Sequence, residues 1–580
     1  MIAFSLNVNA QIDRSVQPKQ GETPKINLKK PQTFKLSNGL NVIVVENKKL
    51  PTFSLRISID NPPSTEGNKS GLNALSNALF GEGSKNISKD VFNEEVDYLG
   101  ASISMGMGFA FANGLSKHKE RIFELLADAA LRPNFTKEEL DKEKEKLITG
   151  LKSEENSPAA IAQRVIGILT YSTDHPYGEF ITEETIKNVT VKDLENNYNR
   201  MFRPNNAYMV ISGDVVFDEI KELVTKHFKK WKSSKKELEA NISSPSDVMS
   251  SEINFVDMPD AVQSELSVLN ITNLQTNSED HHAALVTNYI LGGAFNSYLN
   301  MNLREENGWT YGARSSIARN KWTSATFRAT TSIRNAVTDS AVVETLKEIN
   351  KIRDEFVSDE MLSTAKAKYL GNFIMSTENK SLLADFAVNI KTLNLPENFY
   401  ETFISKIDAV SKEDVKRIAN KYLKPENLRI IVVGKGVDIA DKLENINYNG
   451  KLIPVKYFNK VGKQIDKPVF AKEIDASVTV KTIFDDYINA IGGADKLNNI
   501  KSISRTASVT IPGAPFKPNA ILKEKFPNKS SMEMSVPNMG TLMTQKFNGQ
   551  DGYIEQMGQK IPYEDDQKKS QIEKLGLFEE

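Results

Sequence analysis

The sequence predicts an α+β protein: two tandem homologous domains, each an antiparallel sheet with helices packed on it, followed by a smaller β-rich segment. Three observations carry this reading: a long internal repeat, a strand-first, helix-later order within each copy, and a change to short alternating strands near the end. Phe135 and Phe356, Gly150 and Gly371, Thr190 and Ser411, Pro204 and Pro425, and Gly213 and Gly434 all stand 221 positions apart. A repeat of that length is a whole domain rather than a solenoid unit.

Taken in order, residues 1–10 read as the remnant of a signal peptide, an apolar run ending at small Ala10. This predicts export. Residues 11–30 are polar and contain proline, which suits a flexible tether. Residues 31–230 form the first copy. It opens on a hairpin, because apolar residues from Phe34 to Glu46 flank Asn38-Gly39, and a strand follows from Phe53 to Ile59. Helices are expected at about 70–81, 88–98, 118–131 and 136–170, then a strand from Ala207 to Ile211. Residues 231–250 read as a Ser/Lys-rich linker, and the charge run Lys226–Lys236 as solvated. Residues 251–448 form the second copy and 449–476 a second linker.

The last segment, 477–580, begins with a helix at Thr482–Ala490, breaks at Gly492-Gly493 and continues as strands such as Ala507–Ile511, Lys546-Phe547 and Tyr553–Glu555. Its stretches AIGGADKL, from Ala490, and FNGQDGY, from Phe547, resemble the start of a lipoprotein-carrier-like half-barrel. A charged, helix-like run closes it, and the half-barrel is expected to be cut short.

Composition narrows the chemistry. A formal charge of −1 gives no pull toward nucleic acid, and no apolar run approaches the roughly 18 residues of a membrane span. There is no cysteine, so a metal could be held only by His, Asp or Glu. The five histidines are His118, His175, His227, His281 and His282, and no two stand four apart on one helical face. His281 and His282 point about 100° apart on a helix and cannot chelate one ion, so they read as helix-entry or surface residues. The other three are isolated and read alike.

SGLNALSNALFGEGS, from Ser70, resembles the zinc helix of the insulinase/pitrilysin metallopeptidases, a processing-peptidase-like family with an inverted H-x-x-E-H motif. In that motif two histidines share a helix face to hold zinc, and the Glu activates the bound water. Laid on it, the first His falls on Ala74, the Glu on Asn77 and the second His on Ala78, so all three groups are lost. The family's third ligand, a Glu on the next long helix, falls near Thr149 or Gly150; Glu143 and Glu145, among lysines, read as surface residues.

The second copy keeps what the first lost. LGGAFNSYLNMNLREENGWTYGARSS, from Leu291, resembles the family stretch in which a glycine loop, here Gly292, Gly293 and Asn296, precedes an Arg and a Tyr seven residues apart. Those residues are Arg304 and Tyr311. The resemblance implies that they bind substrate and transition state at the zinc site of another half or of a partner chain. It covers roughly Pro31–Gly436. The expectation is an exported subunit, in the periplasm or envelope of a bacterium, that carries no cofactor. It would complete a homologous zinc-bearing peptidase partner around a peptide. The alternative is a pseudoenzyme that only binds peptide or regulates.

Overall fold

A computed structural model describes residues 31–234, 238–240, 242–377, 381–470, 477–510, 516–537, 539–556 and 558–576. The expected signal-peptide remnant and tether lie outside the described residues. The described chain forms two compact units that divide near residue 471.

The first unit contains two sheets of one design. In the first sheet the strands are β1 (Gln32–Lys35), β2 (Asn41–Glu46), β3 (Thr52–Ile59), β4 (Ser102–Gly106), β5 (Phe109–Leu115) and β6 (Ala207–Gly213), in the order β1-β2-β6-β3-β5-β4. The second sheet contains β7 (Glu252–Asp257), β8 (Gln263–Thr272), β9 (Ala313–Ile317), β10 (Ala325–Arg334) and β11 (Arg429–Gly434). There β7-β11-β8-β10-β9 repeats the order β2-β6-β3-β5-β4 of the first. The sheets are not purely antiparallel as expected: β2 runs parallel to β6, and β7 to β11. The last strand of each copy returns over the helices to the sheet centre, and such a crossover arrives parallel.

Helices join the strands of both copies. In the first copy they are α1 (Leu72–Leu79), α2 (Lys89–Tyr98), α3 (Lys119–Leu131), α4 (Lys137–Glu154), α5 (Pro158–Tyr171), α6 (Glu183–Lys187), α7 (Val191–Met201) and α8 (Phe217–Phe228). The single helix expected at 136–170 is two. Pro158 cannot continue a helix but can start one, and Ser157 caps the new start by accepting from the Ala160 N–H at 3.3 Å. In the second copy they are α9 (His281–Asn288), α10 (Tyr298–Asn300), α11 (Thr338–Asp354), α12 (Asp359–Thr377), α13 (Ser381–Thr392), α14 (Phe403–Asp408), α15 (Lys412–Tyr422) and α16 (Gly436–Glu444). Thr190 and Ser411, equivalent in the repeat, both open capping boxes, with Asp193 and Asp414.

The linker expected at 449–476 is not free chain. A small hairpin of β12 (Asn447–Tyr448) and β13 (Lys451–Leu452) leads to β14 (Val455–Phe458), which joins the second sheet parallel to β7 and carries β15 (Gln464–Ile465) outside it. Buried Tyr457 and Phe458 hold it there. The 231–250 linker is likewise anchored at its start, where buried Trp231 packs 4.8 Å from Phe202.

Each sheet packs one face on its own copy's helices and the other face on a helix of the opposite copy. Ile43, Val45 and Val210 of the first sheet meet Ala384 and Val388 of α13. Val256, Leu269, Ile431 and Val433 of the second sheet meet Ile161, Val165 and Ile166 of α5. The two helices occupy equivalent places in the repeat, so the exchange is reciprocal. Ion pairs Arg56–Asp385 and Lys321–Asp60 and a 2.9 Å bond from Arg328 Nη1 to Gln163 Oε1 cross the same boundary.

The second unit carries α17 (Val480–Ala490) and α18 (Ala494–Asn499), then a six-stranded antiparallel meander: β16 (Ser502–Ser508), β17 (Asn519–Lys525), β18 (Lys529–Val536), β19 (Gly540–Phe547), β20 (Gly552–Gln556) and β21 (Gln559–Pro562). A final helix, α19 (Asp565–Gly576), follows. The expected strand Ala507–Ile511 is the end of β16; Ile511 lies outside the described residues. Among the described residues no helix is long and apolar enough to cross a membrane.

Candidate functional site

Two segments bear the residues singled out from the sequence. The first is α1. Glu66 caps its start, its carboxylate accepting from the N–H groups of Gly71 at 2.8 Å and Asn73 at 3.2 Å. Leu75 and Leu79 are buried against Leu140, Ile186 and Leu194. Buried Asn197 donates to Asn73 Oδ1 at 2.9 Å and Ser76 Oγ at 3.1 Å, tying α1 to α7. On the opposite side Ala74 is half-buried while Asn77 and Ala78 are exposed. Asn77 Oδ1 accepts from the Met107 N–H at 2.8 Å, so this amide holds α1 to the β4–β5 turn.

Two methyl groups and an amide offer no anionic ligand and no general base. Thr149 and Gly150 are exposed on α4, as is Glu145. Glu143 is not the surface residue expected: its side chain is only 18% exposed, drawn onto Lys146 at 2.5 Å. Among the described residues no group of three or more His, Asp or Glu is arranged to hold a metal ion.

The histidine pair opens α9, as expected for helix entry, but it is interior rather than at the surface. The rings lie 4.9 Å apart and nearly perpendicular, walled by Phe399 and Phe403. Burial lowers both pKa values, His281 to about 3 with help from Arg319, and His282 to about 4 with help from Lys406. Among the described residues His281 Nδ1 and His282 Nε2 have no hydrogen-bond partner. His175 is interior too, stacked 4.7 Å from Tyr171.

The second segment runs from Tyr289 to Ala313. A turn of π-helix at Tyr289–Gly293 brings Gly292 against β9, where a Cβ would lie 2.4 Å from Ser315 N. Only glycine fits there. Gly293 is exposed, as is Asn296, whose side chain makes no hydrogen bond among the described residues; Ser297 Oγ closes the turn by donating to Ala294 O at 2.7 Å. After α10, a second π-helical stretch, Met301–Glu306, carries Arg304. Its guanidinium sits 4.7 Å from the centroid of exposed Phe295, and its Nε is 3.3 Å from Glu305.

Residues that the sequence did not single out hold this segment in place. Fully buried Asn300 donates to Phe295 O at 2.7 Å and accepts from the Ala313 N–H at 3.2 Å, bridging the segment's two ends. Asn302 Nδ2 donates to Glu344 at 3.0 Å and Glu348 at 2.7 Å, and Asn307 donates back to Asn302 at 2.9 Å. Burial raises the pKa of Glu348. Thr310 Oγ1 donates to Ser332 O at 2.7 Å and accepts from the Gly312 N–H at 3.1 Å. Between these anchors Tyr311 is 90% exposed. The repeated asparagines of the LNMNLREEN stretch were the available signal. No hydrogen bond or ion pair among the described residues joins Arg304 or Tyr311 to α1.

Residues 188–369 match the family model described as the peptidase M16 inactive domain. The chain is 22% identical over 402 residues to the non-peptidase homolog YmxG of Helicobacter pylori, covering 68% of this chain and 91% of that protein. It is 22% identical over 425 residues to the probable mitochondrial-processing peptidase subunit beta of Arabidopsis thaliana, covering 70% and 78% respectively. Among solved structures, it shares its fold with the peptidase M16 inactive domain from Pseudomonas fluorescens. The TM-score is 0.61 at 22% identity, over 70% of this chain and 98% of that one. A protease from Helicobacter pylori gives a TM-score of 0.62 at 18% identity, over 70% and 99%.

Proposed function

Since the chain belongs to the M16 metallopeptidase family, on its inactive side, we propose that it is a peptide-binding subunit completing the active site of a zinc-bearing partner chain. One observation carries the reading. Tyr311 stands 90% exposed in a segment whose neighbouring polar groups are tied down on both sides of it. A tyrosine held on a fixed loop, its hydroxyl without a hydrogen bond among the described residues, is placed to donate to a group outside this chain.

The partner's zinc would supply an activated water for attack on a peptide carbonyl. This chain would supply the rest. Arg304 presents a planar fork of donors, which suits a peptide carbonyl, and Tyr311 presents a neutral O–H where negative charge develops on the carbonyl oxygen. Phe295, 4.7 Å from the guanidinium, gives Arg304 a fixed place to rest. The first half contributes shape rather than chemistry, because Asn77 is engaged with the backbone of Met107. The reading places the complex in a bacterial envelope, which fractionation of the native host would test.

The experiment is peptide hydrolysis by a zinc-bearing homologous subunit from the same host, alone, with this chain, and with its Tyr311→Phe variant. Activity should require this chain and fall about 10²-fold in the variant, the usual effect of removing one donor to an oxyanion. Activity that ignores Tyr311 would reduce the chain to a peptide-holding or regulatory module.

A further inference from the structure

The lysine run after α8 reads from sequence as solvated linker, but two of its lysines line a cleft. Lys230 and Lys232 join Lys85, Arg132 and Arg203 around a cavity of about 560 Å³ on the first half, with Glu195 the single carboxylate in its lining. We propose that this cleft binds a phosphate ester.

The segments that bear these cations are fastened to one another, while Lys85, Arg132, Lys230 and Lys232 are themselves exposed. The Lys85 N–H donates to Arg132 O at 2.9 Å, which sets those two residues side by side. Arg203 Nη1 donates to Lys232 O at 3.1 Å, and Asn205 exchanges bonds of 2.9 and 2.8 Å with Ser234, which fastens the lysine run to the cleft wall. Between the two lysines, Trp231 is buried and its indole N–H donates to Phe202 O at 3.1 Å. Lys230 and Lys232 therefore flank a fixed anchor.

Among the described residues the positive charge is left largely uncompensated. Arg132 is paired with Asp128, and Glu195 is drawn 3.4 Å toward Lys192. Lys85, Lys230 and Lys232 form no ion pair among the described residues, and Arg203 Nε is buried without a hydrogen-bond partner. In a chain of net charge −1, such a convergence is local and makes this cleft a favourable place for an anion.

The number of cations selects the kind of anion. A carboxylate carries one charge, whereas a phosphate monoester carries nearly two on three acceptor oxygens, matched by the ammonium groups of Lys85, Lys230 and Lys232. The volume lies within the roughly 300–1,000 Å³ of small-molecule sites and leaves room for the organic part of an ester. Half-buried Leu131, Phe135 and Tyr198 supply an apolar wall for it.

The test is calorimetric titration of the full chain with inorganic pyrophosphate at two salt concentrations. Saturable binding is expected, weakening as salt rises, and at least tenfold weaker in Lys230→Ala/Lys232→Ala and in Lys85→Ala. Lys48→Ala/Lys49→Ala, an exposed pair elsewhere, serves as control and should bind as the parent does. Equal binding by cleft and control variants, or binding of a polyglutamate peptide but not of pyrophosphate, would overturn the proposal. Flotation with vesicles containing phosphatidic acid separates the sources: cleft-dependent flotation indicates a lipid headgroup, and pyrophosphate binding without flotation a soluble ester.

Discussion

Helices α1 and α9 occupy the same place in the two halves, each following the long strand next to the sheet's parallel pair, and they have diverged in opposite directions. α1 turns a smooth face of Ala74, Asn77 and Ala78 outward, and its one polar group serves the backbone. α9 is interior over most of its length, keeps the adjacent histidines inside an aromatic wall, and leads into the segment that presents Arg304 and Tyr311. The contrast teaches that the outward face of such a helix can carry any chemistry or none without disturbing the fold, because its packing lies on the other side. The other side of α1, built from Leu75 and Leu79, keeps the helix in place.

Five measurements would break or sharpen this contrast. The largest effect should come from acid. The folded pKa values of His281 and His282, about 3 and about 4, lie below the ordinary 6.5 of the unfolded chain. The unfolded state therefore takes up protons first: stability is full above pH 6.5 and is lost as pH falls toward the folded values. At pH 5 the loss should be about 2 kcal/mol for each histidine. Urea titrations at pH 7.5 and 5 read it, and His282→Phe should remove about half of the slope.

Next comes Gly292→Ala, whose Cβ would drive into Ser315; about 3 kcal/mol of destabilisation is expected in thermal unfolding. Asn300→Ala should cost about 2 kcal/mol, because it leaves a buried N–H without an acceptor. Faster amide exchange at residues 309–313 would accompany it. Asn77→Ala removes one acceptor at an exposed position and should cost about 1 kcal/mol. A cost above that of Asn300→Ala would reverse the contrast between the halves. Tyr311→Phe should leave stability within about 0.5 kcal/mol, since the side chain is 90% exposed and its hydroxyl makes no hydrogen bond among the described residues.

Much of the architecture was legible because it is written locally. The 221-residue spacing exposed the repeat, Asn38-Gly39 marked the first hairpin, and Ser157-Pro158 marks the break between α4 and α5. The features missed depend on partners far along the chain. His281 and His282 sit in a polar stretch and are buried by Phe399 and Phe403, more than a hundred residues on. β14 has only four residues and no alternation of its own, and it becomes a strand by pairing with β7. The candidate site divides the same way. Arg304 and Tyr311 could be found by spacing, whereas Asn300 acts through bonds to Phe295 and Ala313 that no local pattern announces.

The exchange of α5 and α13 has a consequence for how such a chain can change over time. Each copy lends a helix to cover its sibling's sheet, so neither is self-sufficient: cut apart near residue 240, each would present a bare apolar sheet face. A single ancestral copy with this packing would have had to live as a two-fold dimer. Once the two copies are fused, one half can drift chemically while the other still holds it folded. Interdependence in packing is thus what grants independence in chemistry.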